Sequence, residues 1–449
     1  MALTIGIRRE DKNEWERRVP LTPAQTATLI AAHGPRVLVQ PAPRRAFPDA
    51  EYRQAGAELT EDLSAARIIL GVKEIPLERI QPGSAHLIFS HTIKGQPYNL
   101  PMLRRFLDQG CHLIDYERIV DDAGRRLVFF GYHAGLAGMV ETLHALGRRL
   151  AAEGLEAAAN PFFELRQPYQ YPDLQAAKNH LATIGERIRR QGLPPCLRPM
   201  VCGILGYGNV ARGVQEILEC LPISRITPEQ LLHSGTDPGD PRGIQVVVFE
   251  EADTVAPLDP AQSFELSDYY QQPRRYRAAF ARYLPRLTVL INAIYWDQRY
   301  PVLVTRDDLR PLFAGGRRPR LRVIGDITCD IEGSIAVTMN STLPDEPNFV
   351  YDLSRDVVSP GCDNLNGPVV MAVDNLPTEF PREASISFGE ALTPLLPGLA
   401  RTDFSRPLAA SGLPAPLARA TIVYQGRLTD AYQHLEKALA AASGSTRAS

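Results

Sequence analysis

Little in this 449-residue chain points to a metal, a membrane or a nucleic acid. Its six cysteines (Cys111, Cys196, Cys202, Cys220, Cys329 and Cys362) contain no CxxC pair and no Cys/His ligand spacing. Neither zinc nor a disulfide framework is expected, and the six read as small buried hydrophobes. No basic run forms a face and the net charge is only −2, which argues against a nucleic-acid partner. No uninterrupted apolar stretch approaches the roughly 20 residues of a membrane helix. Met1–Glu10 offers a short apolar strand before charged residues, unlike a signal peptide. A cytoplasmic location is therefore expected.

What remains is ordinary globular composition, with 22% charged and 44% hydrophobic residues. The length exceeds one hydrophobic core and predicts two or three domains. Near the middle, the apolar run Val201–Leu205 leads into Gly206-x-Gly208-x-x-Ala211. A helical pattern follows, with Val210, Val214, Ile217, Leu218 and Leu221 on one face. Small residues at that turn let the backbone approach a pyrophosphate, which the free N–H groups and dipole of the helix stabilise. The strand before and the helix after raise this Gly206, Gly208, Asn209, Val210 stretch above a plain glycine turn. Some 200 residues precede it, so another domain comes first.

That first domain alternates short strands with helix-length connections. Strands are expected at Leu3–Arg8, Val37–Gln40, Ile68–Val72, Leu87–Ser90 and Leu113–Tyr116, with Thr22-Pro23 as a helix start. A long Gly- and Ala-rich helix is expected over Tyr132–Ala152 and an amphipathic one over 173–190. Further strands are expected at Gln245–Phe249, Thr288–Asn292 and Arg322–Ile327, with loops at Ser234–Asp240 and Asp253–Ser263. Gly367–Phe388 reads as a turn and a helical return, a last helix spans about Leu428–Ala442, and Ser443–Ser449 reads as a disordered end. The order fits an α/β protein of two Rossmann-like domains, with a dinucleotide-binding domain (136–364) inserted into a discontinuous substrate domain (1–135 plus 365–449).

Charged residues stand where the first domain's strands end, and α/β sheets bind ligands there. Arg18 lies in the Glu16–Pro23 stretch, Lys73 and Glu74 follow Ile68–Val72, His91 and Lys94 follow Leu87–Ser90, and Glu117 follows Leu113–Tyr116. A lysine at such a place, partly desolvated among cations, can lose its proton near neutral pH.

The strings Arg8–Arg18, Gly71–Pro76, Phe89–Tyr98, Leu113–Glu117, Gly206–Val210, Leu290–Trp296, Gly325–Ser334 and Val373–Glu379 occur in family order over nearly the whole chain. On them the sequence resembles the lysine–2-oxoglutarate reductase portion of the bifunctional aminoadipic semialdehyde synthases. It is similar, more distantly, to lysine-forming saccharopine dehydrogenases and alanine dehydrogenases. The resemblance implies Lys73 as general base and acid, His91 as its partner, and Glu117 as a carboxylate that tunes the lysine or meets an ammonium. It implies Arg18, Lys94 and Arg126 as cations for substrate carboxylates, Asp330 beside a nicotinamide with Asp326 at the head of its D-x-x-x-D string, and Asn292 among the cofactor residues. The implied reaction is reversible reductive condensation of L-lysine with 2-oxoglutarate to saccharopine, the first step of lysine degradation. The bifunctional proteins continue into a glutamate-forming saccharopine dehydrogenase, expected here as a separate protein or absent.

Cofactor choice follows a spacing rule. NAD-binding domains place an acid about 20 residues past the first glycine. Here that stretch, Leu221–Pro228, has no acid but offers Ser224 and Arg225. The resemblance also implies NADP, and with it NADPH is expected over NADH. Two other readings stay open: an alanine dehydrogenase-like enzyme using ammonia, and a nucleotide-sensing protein without catalysis.

Overall fold

The computed structural model describes residues 3–233, 240–316 and 318–445. The chain divides into two units, Met1–Phe130 with Pro381–Ser449 and Gly131–Phe380.

The first unit begins with six strands: β1 (Thr4–Ile7), β2 (Arg36–Val39), β3 (Glu58–Leu59), β4 (Ile68–Leu70), β5 (Ala85–Ile88) and β6 (His112–Asp115). They pair in parallel in the order β6-β5-β4-β1-β2-β3. The helix Pro23–His33 starts on Thr22, whose hydroxyl accepts the Gln25 amide, with Pro23 in the first turn. Strands β1, β4, β5 and β6 are buried at every residue, as expected where helices cover both faces of a parallel sheet.

The second unit holds β7 (Met200–Leu205), β8 (Ile223–Arg225), β9 (Ile244–Phe249), β10 (Val255–Pro257), β11 (Tyr276–Ala278), β12 (Val289–Asn292), β13 (Val323–Asp326), β14 (Asn348–Asp352), β15 (Val357–Pro360) and β16 (Val369–Met371). Eight of these form one sheet in the order β15-β14-β16-β13-β12-β7-β9-β8, and β10 and β11 form a separate hairpin. The run β16-β13-β12-β7-β9-β8 is parallel, while β14 and β15 add antiparallel edge strands. Successive residues of β7 serve opposite cores: Met200, Cys202 and Ile204 on one face, Val201 and Leu205 on the other.

The helix Gly131–Ala152 packs on Asn209–Leu218 at a distance only glycine allows. A Cβ on Gly135 would lie 2.0 Å from the Val210 carbonyl oxygen, and one on Gly213 would lie 2.1 Å from that of Tyr132. This contact, and the parallel pairing of β16 with β13, hold 131–135 and 365–380 in the second unit. The boundaries therefore fall at 130/131 and 380/381, not at 135/136 and 364/365.

The chain returns to the first sheet as β17 (Thr421–Tyr424), antiparallel to β6, and β18 (Arg427–Leu428), antiparallel to β17. The last helix accordingly starts at Leu435, not near Leu428, and runs to Ser445, where disorder is expected from sequence. Asp253–Ser263 is not all loop, since Val255–Pro257 forms β10. Of Ser234–Asp240, residues 234–239 lie outside the described residues. Cys111, Cys202 and Cys362 are buried, but Cys196 is exposed, so it is not one of the small core hydrophobes.

Candidate active site

Registers Ile7↔Leu70, Leu70↔Leu87 and Ile88↔Asp115 align the carboxyl ends of β1, β4, β5 and β6. Lys73, Glu74, His91, Glu117 and the Arg8–Arg18 segment therefore leave one sheet edge. The Glu10 carboxylate fixes the first of these exits: it accepts the Val72 and Lys73 amides at 2.8 and 2.9 Å and lies 3.2 Å from Arg8 Nη1. Burial, which Arg8 partly offsets, raises the Glu10 carboxyl above its ordinary range.

Burial also lowers the Lys73 ammonium to about 8, helped by the positive charges of Arg18 and Lys12 and opposed by Glu16 and Glu74. Arg18 is itself buried and held by Glu16, with Nε and Nη2 donating to the two carboxylate oxygens at 2.8 and 2.6 Å. Its guanidinium stacks 4.2 Å from the Phe130 ring centre. On the other side of the site, Glu74 Oε1 is 2.6 Å from His91 Nδ1 and 3.3 Å from Lys12 Nζ. Burial opposes ionisation of Glu74, but the His91 contact and Lys12 outweigh it and hold the carboxyl at about 2.

Asp115, wholly buried at the end of β6, organises the neighbours. It accepts the Ser90 amide at 3.1 Å and the Ser90 hydroxyl, and takes the Glu117 amide at 2.8 Å. Ser90, which precedes His91, and Glu117 are thus tied to one internal carboxylate. His91 also adopts a left-handed backbone with φ 51°, a conformation rare for non-glycine residues and common at functional sites.

The expected cations do not all gather here. Arg18 lines a cavity of about 220 Å³ with Arg8, Arg44, Arg45, Glu10 and Glu16. Lys94 and Arg126 are exposed, and no hydrogen bond or ion pair joins either to Lys73 or His91 among the described residues. Arg126 Nη2 reaches only the Val128 carbonyl, at 3.4 Å. Arg8, Arg44 and Arg45, and the carboxylates Glu10, Glu16 and Asp115, escape a reading based on one charge per strand end. For all but Asp115, which lies inside the apolar run Leu113–Tyr116, the signal is the density of charge in Arg8–Arg18 and Arg44–Arg45.

In the second unit Gly206 turns the chain at the end of β7 with φ 91°, which needs glycine. A Cβ on Gly208 would meet nothing within 4 Å, so open space lies before the helix Asn209–Leu218, whose first turn has no side-chain cap. That space belongs to a cavity of about 260 Å³ lined by Gly206, Tyr207, Gly208, Glu250, Glu251 and Tyr270, among others. Free amides, a helix N-terminus and a close backbone approach suit a pyrophosphate, so these residues fit a dinucleotide. Asn209 and Val210 begin that helix, Asn209 Oδ1 accepting Arg212 Nη1 at 3.4 Å.

Asn292 and Asp326 end adjacent strands in register and bond to each other at 2.8 Å. The Thr338 hydroxyl and the Cys329 amide also donate to Asp326, at 2.6 and 3.1 Å. Burial raises its carboxyl to about 6 against these bonds. Asp326 thereby anchors the loop that carries Asp330, which is half-buried.

Ser224 and Arg225 stand apart from the glycine turn. They lie on β8, the edge strand beyond β9, and Arg225 pairs with Val246, three residues short of the carboxyl end of β9. The Arg225 guanidinium instead donates to Gln215 at 2.5 Å and Glu219 at 3.0 Å.

A model of the alanine dehydrogenase/PNT N-terminal domain matches residues 6–137. The chain is 39% identical to an alpha-aminoadipic semialdehyde synthase of Arabidopsis thaliana and 34% identical to the mitochondrial one of Bos taurus. Each comparison covers 96% of this chain but 41% and 47% of those relatives. It is a homologue of the alpha-aminoadipic semialdehyde synthases. The chain thus spans about half the length of these curated relatives. A saccharopine dehydrogenase (NAD+, L-lysine-forming) of Neurospora crassa is 28% identical over 88% of this chain and 91% of its own. An L-alanine dehydrogenase structure superposes with a TM-score of 0.60 at 19% identity, covering 97% of this chain and all of that one. That likeness identifies the fold: α/β, with two Rossmann-like sheets.

Proposed function

We propose that this chain is a nicotinamide-dependent, lysine-forming saccharopine dehydrogenase, joining L-lysine and 2-oxoglutarate reductively and reversibly. The observation that carries the reading is Lys73, held near 8 by burial and by Arg18 and Lys12 at a strand end it shares with the His91–Glu74 pair.

Condensation requires the lysine ε-ammonium to lose a proton, and the carbinolamine oxygen to gain one as water leaves. A group titrating near neutrality serves both steps, so Lys73 Nζ accepts the first proton and returns the second. Glu74 beside Nδ1 of His91 favours the tautomer protonated there and leaves Nε2 to exchange protons. The cavity that Arg18 lines holds six arginines against three carboxylates, Glu10, Asp11 and Glu16, and this excess of positive charge suits a product with three carboxylates. When bound, the reduced nicotinamide supplies hydride to the imine carbon. The NADPH expectation loses its support in Ser224 and Arg225, which do not reach the glycine turn.

Incubation with 2-oxoglutarate, reduced nicotinamide dinucleotide and either lysine or ammonium tests the reading, with saccharopine identified by mass. Turnover with lysine alone is expected. Cofactor oxidation with ammonium in place of lysine would refute it in favour of an alanine dehydrogenase-like activity.

A further inference from the structure

A Rossmann sheet reads the adenosine ribose from the strand beside the fingerprint strand, at its carboxyl end. Here that neighbour is β9, not the next strand in sequence. β7 and β9 pair with Leu205 opposite Phe249, and the Gly206 amide donates to the Phe249 carbonyl at 3.0 Å. Gly206 and Glu250 therefore leave adjacent strands at the same level, about 5 Å apart.

Three observations describe the surroundings of Glu250. Its amide donates to Asp253 at 2.9 Å, which fixes the turn after β9. Its neighbour Glu251 accepts the Tyr207 hydroxyl at 3.2 Å and the Tyr270 hydroxyl at 2.5 Å, one on each oxygen, so that carboxylate is committed to shaping the wall. Among the described residues that line this cavity there are two carboxylates and no lysine or arginine.

We propose that Glu250 is the residue that selects the cofactor, and that it makes this chain prefer NADH to NADPH. A carboxylate at this level accepts hydrogen bonds from vicinal ribose hydroxyls, whereas a 2′-phosphate would bring negative charge against Glu250 and Glu251 with no lysine or arginine among the described residues that line the cavity. The inference rests on the proposed reading of the chain as a nicotinamide-dependent dehydrogenase, and it reverses the preference expected from Ser224 and Arg225.

Direct binding tests it without turnover. The full chain is titrated with NADH and with NADPH, following nicotinamide fluorescence, and the titrations are repeated on Glu250→Ser. The wild type is expected to bind NADH at least about tenfold more tightly, the scale of losing one charge-assisted pair. Glu250→Ser is expected to weaken NADH by about tenfold and leave NADPH unchanged or tighter. Glu250 is exposed, so its loss leaves the core intact, and the wild-type ratio decides the matter even without the variant. A wild type that binds NADPH as tightly as NADH, or better, overturns the inference while leaving the dehydrogenase reading in place. An unchanged ratio in Glu250→Ser also overturns it, and failure to bind either dinucleotide overturns both.

Discussion

Nδ1 of His91 lies 2.6 Å from Oε1 of Glu74, and the same carboxylate is within 3.3 Å of Lys12 Nζ. The pair joins the ends of two neighbouring parallel strands, because Leu70 and Leu87 stand opposite each other in β4 and β5. Glu74 titrates near 2 instead of 4.5, so its interactions stabilise the fold above pH 4.5 and are lost as the pH falls toward 2. The group is partly exposed, which places the contribution on the order of 1–2 kcal/mol. Melting temperatures measured from pH 6 to pH 3 should fall less steeply for Glu74→Gln than for the wild type. Parallel curves would mean that the contact stores no such energy.

Lys73 has the opposite sign. Its ammonium titrates near 8 in the fold and near 10.5 when unfolded, so burying it costs stability below pH 8, and the cost disappears as the pH rises toward 10.5. Lys73→Met should raise the melting temperature at pH 7, by on the order of 2 kcal/mol of stability, and the gain should shrink between pH 8 and 10. The same substitution should lower kcat by about 10²–10⁴-fold while dinucleotide binding survives. In the wild type, kcat/KM should rise with pH through an apparent value near 8. A variant that keeps kcat within a few-fold would make Lys73 an ordinary buried lysine.

Much of this arrangement was readable because apolar runs of β length end in charge. Ile68–Val72 before Lys73 and Leu113–Tyr116 before Glu117 mark both a buried strand and its exit. The exits share an edge because the strands are parallel, which the alternation with helices implies. Order within a sheet was not readable. The spacing rule for the ribose acid assumes that the strand after the fingerprint helix lies next to β7, but β8 lies at the edge and β9 takes that place. The acid therefore comes some 44 residues after Gly206. β17 escapes a local reading because its partner, β6, lies some 300 residues earlier, and β18 pairs with β17. Arg126 has only the resemblance behind it, and Lys94 adds to the resemblance its place after Leu87–Ser90.

Arg225 supplies a contrast to Glu250. Its side chain is half-exposed and already occupied by Gln215 and Glu219 on the helix that follows the glycine turn. An exposed pair of this kind is worth at most about 1 kcal/mol. Arg225→Ala should therefore change the Kd of NADH and of NADPH by less than about twofold. A selective loss of NADPH affinity would show that Arg225 leaves Glu219 to meet a 2′-phosphate.

The second unit also contains a pair of buried carboxyls that no proposed step uses. Glu141, on the helix Gly131–Ala152, and Glu379, just after Leu376–Thr378, are both almost inaccessible to solvent. Gln167 Nε2 donates to Glu141 at 3.2 Å and to the Pro344 carbonyl at 2.5 Å. Burial holds the Glu141 carboxyl well above the ordinary range, against the hydrogen bonds from Glu379 and Gln167. Two neighbouring carboxyls in a dry core share a proton more readily than they both ionise. Because the folded state retains a proton that the unfolded chain releases above about pH 4.5, stability must fall as the pH rises from 5 toward 8. Glu141→Gln keeps the shape and a donor while removing the ionisation. Its melting temperature should therefore gain on that of the wild type across this window, and stay level with it or fall below it at pH 5. If the two curves ran parallel from pH 5 to pH 8, the shared proton would not exist.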